Sequence, residues 1–304
     1  MELRSLPFSE RQKRNLLPAG LRDANINSPL FVINLLLDMD VIQAIIIAIV
    51  EGLTEFLPIS STGHMIITEK LLGIEETEFI KLFTVAIQLG AILAVVVYYW
   101  KKFFGTQAFR NARWRFYAKL IIAVVPAIVF GFLFADIIDR LLESTSTVII
   151  TMILGGIVLL VIDKYFKNPM VESEEKITFK QALLIGCWQV IAMIPGVSRS
   201  AASIIGGMQQ KLTRTLAAEF SFYLAVPTMA AATGYKLLKG YKTFSSHDIR
   251  LLAVGNAVAF IVALVAIKFF IGYLQKHGFK VFGYYRIIVG IILLLLMISG
   301  YLPR

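Results

Sequence analysis

The sequence predicts an all-α polytopic membrane protein made of two inverted repeats, each a re-entrant helical hairpin followed by three transmembrane helices. Three observations carry that expectation. Long runs almost without charge recur along the chain, two further apolar stretches are cut by carboxylates, hydroxyls and proline, and those two stretches resemble each other. Of 304 residues, 58% are hydrophobic and 16% charged, with a mean hydropathy of +0.75, far from the soluble norm.

Taken in order, residues 1–38 are polar and basic, and no cleavable signal follows them. Met39 stands directly before Asp-Val-Ile-Gln-Ala-Ile and is expected to be the initiator. Residues 1–38 are then a non-native or disordered extension, and 39–304 a single membrane domain with repeats over about 40–165 and 178–304. Val41–Val50 is apolar apart from Gln43 and is interrupted by Glu51, Glu55 and Pro58. Non-helical backbone at membrane depth survives only inside protein or beside a wet cavity, so this segment predicts a re-entrant hairpin. Leu82–Trp100, Leu120–Ala135 and Ser144–Ile162 are each close to the length of about 20 residues that crosses the hydrocarbon core. Ala182–Ile194 is followed by Pro195-Gly196-Val197-Ser198-Arg199-Ser200 and predicts a second hairpin. Phe220–Tyr235, Leu251–Ile267 and Ile287–Pro303 complete six spans and ten helices.

The halves match locally. Gln43-Ala-Ile-Ile-Ile pairs with Gln181-Ala-Leu-Leu-Ile, and Leu57-Pro58-Ile-Ser60 with Ile194-Pro195-Gly-Val-Ser198, one residue slipped. Phe83-Thr-Val-Ala aligns with Phe220-Ser-Phe-Tyr at an offset of 137. Three spans is an odd number, so the second copy enters the membrane inverted, an architecture common in secondary transporters. The two hairpin tips would then meet and bring Arg199 beside Glu51, Glu55, Ser61 and His64.

The net charge of +10 is a topology signal and argues no nucleic-acid role. Lys101, Lys102, Arg110, Arg113, Arg115 and Lys119 gather in one predicted loop, Lys164, Lys167, Lys176 and Lys180 in another. Lys211 and Arg214 fall at a third, and Lys268, Lys276, Lys280 and Arg286 at a fourth. Such loops face the cytoplasm, which puts Leu72–Lys81 outside. One cysteine, Cys187, leaves no internal disulfide and no thiolate metal site.

Glu51 and Glu55, spaced i, i+4, share one helix face within an apolar run, and ionisable groups at that depth mark a functional site. Pro58 breaks the helix. Ser60-Ser61-Thr62-Gly63 is rich in N-cap residues and able to aim backbone N–H groups at an anion, which points to phosphate chemistry. Gln88 and Gln189 are read as cavity-lining, Glu219 as either supporting the site or snorkelling, and His247 and His277 as solvated.

With those residues in place, the chain resembles the undecaprenyl-diphosphate phosphatase, or bacitracin-resistance protein, family. That family's first motif, E-G-x-T-E-F-x-P-[IV]-S-S-T-G-H-M, is matched at Glu51–Met65, and its second, P-G-x-S-R-S, at Pro195–Ser200. The resemblance runs from residue 39 to the end. It implies hydrolysis of undecaprenyl diphosphate to undecaprenyl phosphate and inorganic phosphate. That reaction recycles a lipid carrier for the cell wall and confers bacitracin resistance. It also implies a bacterial cytoplasmic membrane enzyme whose chemistry faces the outer side.

The side-chain chemistry suits such a substrate. Arg199 would grip a phosphate and stabilise transition-state charge. Ser198, Ser200 and Thr62 would add donors, while Ser60 either joins them or bonds its own backbone. Glu51 and Glu55 suit phosphates only through a bridging Mg²⁺ or Ca²⁺, with Glu55 also in the catalytic set. Ser61 is the nucleophile of choice and His64 its base or acid; the rival assignment makes His64 itself the nucleophile. A polyprenyl-phosphate flippase or transporter is the alternative function, and the reading admits a homodimer.

Overall fold

The computed structural model describes residues 39–75, 77–105, 110–142, 144–240 and 245–302, so the extension expected over 1–38 lies outside the described residues. α1 (Val41–Thr54) opens on a capping box in which Asp40 and Gln43 exchange side-chain and backbone bonds. A turn over 55–59 leads to α2 (Ser61–Leu71). The next span is split at Ile87 into α3 (Glu78–Ala86) and α4 (Gln88–Tyr98), followed by the short α5 (Trp100–Phe104). α6 (Arg110–Leu133), α7 (Ala135–Leu142) and α8 (Thr145–Tyr165) complete the first half.

The second half repeats this order. α9 (Phe179–Val190) starts on a Thr178/Gln181 capping box, and a 3₁₀ turn (Ile191–Met193) precedes α10 (Arg199–Gln209). α11 (Arg214–Gly240), α12 (Ser246–Leu274) and α13 (Lys280–Ile298) follow. The two broken hairpins are therefore α1–α2 and α9–α10. The split at Ile87 and the short α5 and α7 add to the ten helices expected.

Among the described residues, five segments are long and apolar enough to cross a membrane by length and composition: Glu78–Tyr98, Arg113–Leu133, Thr145–Tyr165, Ser246–Leu274 and Lys280–Ile298. The sixth expected span, Phe220–Tyr235, lies inside α11, which has the length at 27 residues but is less apolar. The reason is position. Phe220, Ser221, Phe222, Tyr223, Leu224 and Ala225 are all buried, so much of α11 faces protein and need not match the solvent properties of lipid. By contrast α6, α8 and α13 expose Ile121, Val125, Phe132, Ile150, Leu154, Ile288 and Ile291 on their outer sides, as lipid-facing helices do.

The halves correspond atom for atom at several places. Gln43 Nε2 donates to the carbonyl of Leu72 at 3.1 Å, and Gln181 Nε2 to that of Gln210 at 2.9 Å, each closing the base of its hairpin. Packing is reciprocal too: α1 lies on α12 as α9 lies on α6, while α8 pairs with α13 and α4 with α11. A twofold relation between repeats requires that exchange of partners. α8 and α13 approach closely because Gly156 and Gly283 face each other; a Cβ on either would sit 2.8 Å from the other's carbonyl oxygen.

Two residues assigned to basic loops are instead buried within helices. Arg286 is wholly buried within α13. Lys119 is buried at the start of the apolar part of α6, where its ammonium donates to Glu174 Oε1 at 3.0 Å and to the Glu174 carbonyl at 2.8 Å. Lys102 joins them, bonding Glu175 at 2.9 Å. This hydrogen bond holds the Glu175 carboxyl below the usual carboxylate range.

Candidate active site

α1 carries Glu51 and Glu55 on one face and ends where Pro58 removes a donor and restricts the residue before it. The chain then turns at Ser60, whose φ of 71° and ψ of 96° place it in a region that non-glycine residues seldom occupy. In the second hairpin Ser198 does the same with φ 76° and ψ 117°. Each serine caps the helix that follows, so Ser61 and Arg199 become the first residues of α2 and α10. The turn before Ser198 passes close under α8. Gly196 has φ +85°, and a Cβ there would stand 2.5 Å from the carbonyl of Val148, so only glycine serves.

The hairpin tips bring three of the expected residues into one chain of contacts. Ser61 Oγ donates to Glu55 Oε2 at 2.8 Å. On its other oxygen, Glu55 accepts from Arg199 Nε at 3.3 Å and Nη2 at 3.2 Å. Arg199 Nη1 donates to the Ser221 carbonyl at 3.1 Å, and the guanidinium lies 5.9 Å from the Phe56 ring centre. Glu55 and the Arg199 side chain are 8% and 13% exposed, which strengthens the pairing.

Glu51 is 1% exposed, and its Oε1 has no hydrogen-bond partner. It lines a cavity of about 560 Å³ together with Ser61, Thr62, Thr84, Gln88 and Lys236. The predicted Glu51, Ser61, Thr62 and Gln88 thus share one space, with Glu55 and Arg199 holding Ser61 at its edge. Ser60, Ser198 and Ser200 are placed differently from the phosphate donors expected of them. Ser60 is buried as a cap. Ser198 caps α10 and sits 3.1 Å from the Ser200 hydroxyl. Ser200 is fully buried and donates to the Leu57 carbonyl at 2.8 Å, joining the second hairpin to the first.

His64 also lies apart from Ser61. On α2 the cavity-lining positions are 61, 62, 65, 66 and 69, and His64 falls on the other side of the helix. Its Nδ1 is 2.7 Å from the Ser60 carbonyl oxygen and its Nε2 2.8 Å from the Tyr285 hydroxyl. The contact to Ser61 that a base would make is taken by Glu55. Of the other residues singled out, Glu219 bonds Tyr99 at 3.5 Å, away from the site, and Gln189 is buried against Thr228. His277 stacks on Tyr273, and His247 is exposed.

Sequence reasoning missed Arg286. All five of its N–H donors are used: Nε to the Met152 carbonyl, Nη1 to Pro58 and Val197, and Nη2 to Thr151 and Gly196, at 2.8–3.3 Å. One guanidinium therefore ties both hairpin breaks to α8. The signal was an arginine directly before the apolar run Ile287–Pro303, which reads equally well as a loop charge.

Among the described residues no three or more His, Cys, Asp or Glu side chains converge as a metal site. The fit to a hard divalent cation rests on Glu51, which lines the cavity and has one buried carboxylate oxygen without a partner, with Glu55 one turn on. Remaining ligands would come from phosphate oxygens and water, the usual arrangement for Mg²⁺.

Comparison with known proteins follows the same residues. The family model described as bacitracin resistance protein BacA matches residues 44–292. A Flavobacterium johnsoniae protein named undecaprenyl-diphosphatase is 59% identical over 262 residues, 85% of this chain and 96% of that protein. One of the same name from Porphyromonas gingivalis is 54% identical over 279 residues, covering 86% and 98%. A Clostridioides difficile protein named undecaprenyl-diphosphatase 1 is 44% identical over 262 residues, covering 84% and 96%.

Proposed function

Because this chain belongs to the bacitracin resistance protein family, we propose that it hydrolyses undecaprenyl diphosphate to undecaprenyl phosphate and inorganic phosphate, with Ser61 as nucleophile and Glu55 as its base. The observation that carries the site assignment is the 2.8 Å hydrogen bond from Ser61 to a carboxylate that Arg199 holds from behind. In the first step Ser61 Oγ forms a bond to the terminal phosphorus, its proton passes to Glu55, and the bridging P–O bond breaks to release the prenyl monophosphate. Proton transfer neutralises Glu55. Arg199 loses its counter-ion at that moment and its charge turns to the phosphoryl oxygens, which is stabilisation specific to the transition state. Water then attacks the phosphoserine, Glu55 returns the proton to Ser61, and phosphate leaves.

Thr62 and Gln88 line the same space and supply polar contacts for the diphosphate. A divalent cation held by Glu51 and Glu55 would neutralise phosphate charge. The multi-pass fold and the basic loops support a place in the bacterial cytoplasmic membrane with the cavity open to the outer side, where such a lipid carrier would be recycled for cell-wall synthesis. A repeat architecture alone would suit a flippase, but a transporter needs no serine hydrogen-bonded to a carboxylate.

The test is phosphate release from a C15 or C55 prenyl diphosphate by detergent-purified protein with Mg²⁺, Ca²⁺ or EDTA. Cation-dependent release, abolished in Ser61→Ala and Arg199→Ala, is expected. Binding without release by folded wild-type protein would overturn the hydrolase reading.

A further inference from the structure

His64 has no nitrogen free for Ser61. The Ser60 carbonyl can only accept, so Nδ1 at 2.7 Å must carry a proton and donate to it. With Nδ1 protonated in the neutral ring, the lone pair lies on Nε2, where the Tyr285 hydroxyl at 2.8 Å donates to it. The two ring planes are parallel within 2° and their centres lie 5.5 Å apart. Tyr285 is 41% exposed and comes from α13 of the other repeat, so burial alone does not hold it at His64.

The peptide at the end of this chain is the strained one. Ser60 holds φ 71°, and the residue it presents is Ser61. A conformation of that kind costs about 1–3 kcal/mol and persists only where surrounding contacts enforce it. Gly63 lets α2 press on α8 here, since a Cβ at that position would overlap Met152 Sδ. The Ser60 side chain reaches the Gly63 N–H only at 3.5 Å. The shorter contact at this corner is the imidazole.

We propose that His64 and Tyr285 are positioning residues: Tyr285 fixes the Nδ1–H tautomer of His64, and that N–H clamps the Ser60 carbonyl so that Ser61 is aimed at the phosphate. This rests on the hydrolase reading above. It assigns no proton transfer to His64 and gives α13 a part in the reaction through a residue outside both motifs.

Asparagine decides the matter, because its side-chain N–H takes the place of Nδ1–H but cannot act as a base at neutral pH. With purified full-length protein and C15 diphosphate, His64→Asn is expected to keep kcat within about fivefold of wild type. His64→Gln and His64→Ala should fall about 10–100-fold at unchanged KM, the usual loss when a supporting partner goes. Tyr285→Phe should lower kcat about tenfold, and adding it to His64→Asn should cost nothing more, since an amide needs no tautomer fixed. His64→Asn as inactive as His64→Ala, or full activity in Tyr285→Phe, would overturn the proposal.

A readout independent of activity is the ¹⁵N spectrum of His64 in a His247→Gln, His277→Gln background. The Nδ1–H form should dominate and be lost in Tyr285→Phe; an Nε2–H form in the wild type would sink the idea. Failure of the wild type to hydrolyse prenyl diphosphate would instead overturn the parent reading and leave the spectrum to judge the clamp.

Discussion

Glu55 is the residue on which Ser61 and Arg199 converge, and its substitution separates base from scaffold. Glu55→Gln keeps size and an acceptor for Ser61 but removes the basic oxygen and leaves Arg199 unpaired. The expected result in the phosphate-release assay is a kcat loss of about 10²–10⁴-fold, the worth of a positioned base. Arg286 is a second residue with an outsized role. Lysine offers three donors where the structure uses five, and its point charge cannot span Pro58, Gly196 and the α8 carbonyls. Arg286→Lys should therefore lower the Tm in detergent, with a cost of about 3 kcal/mol for two charged hydrogen bonds lost, and depress kcat because both hairpin tips loosen. An unchanged Tm would deny it that role. Residue chemistry at Glu51, Glu55, Ser61 and Arg199 was legible because carboxylates, hydroxyls and arginine stand out against apolar sequence. The place of His64 was not. Three residues from Ser61 reads as one helical turn, and only the helix's orientation shows the imidazole facing α13.

At the scale of elements, glycine and buried charge set how helices meet. Gly283→Val should push α13 off α8 and destabilise the fold by about 1–3 kcal/mol, as overpacking does, read as a lower unfolding temperature. Lys119→Ala leaves Glu174, a carboxylate buried in the 3₁₀ turn Glu174–Lys176 against α6, with only the 3.4 Å contact to Lys102. Removing one partner of such a pair costs about 3–5 kcal/mol, whereas Lys119→Met with Glu174→Leu should recover most of it. Equal destabilisation by single and double variants would contradict that pairing. The same corner carries a weak pH dependence. Glu175 has a depressed folded pKa, so its contribution is present above the ordinary carboxylate value and is lost as pH falls through the folded one. Glu175 is largely exposed, and solvent screening keeps that contribution small. Hairpin breaks could be read from Pro58 and Pro195 because each proline stands beside hydroxyl, glycine or charged residues, whereas Pro126 and Pro227, within apolar runs, sit inside α6 and α11. The split at Ile87 had no such marker.

For the whole molecule, the inverted repeats put the bases of the two hairpins on opposite sides, and Glu172 lies beside the second base, where Val171 bridges to Leu212. In a Cys187→Ser background, Glu75→Cys should react with a membrane-impermeant maleimide added to intact cells, and Glu172→Cys only after lysis. Labelling of both from the same side would reject the topology.

The sequence by itself determined the class, the hairpins and the repeat, and singled out Glu51, Glu55, Ser61 and Arg199 as polar groups in apolar surroundings. Hydropathy, proline and isolated charge act locally and are written in residue order. Only the tertiary structure decided that Glu55 rather than His64 touches Ser61, that Ser198 and Ser200 serve backbone rather than cavity, and that Arg286 is a tie. Those outcomes depend on how the packed helices orient their side chains: Ser200 reaches Leu57 across 143 residues and Arg286 reaches Pro58 across 228, while Glu55 meets Ser61 only because the turn between them folds back. A buried donor takes whichever carbonyl the packed helices bring within about 3 Å.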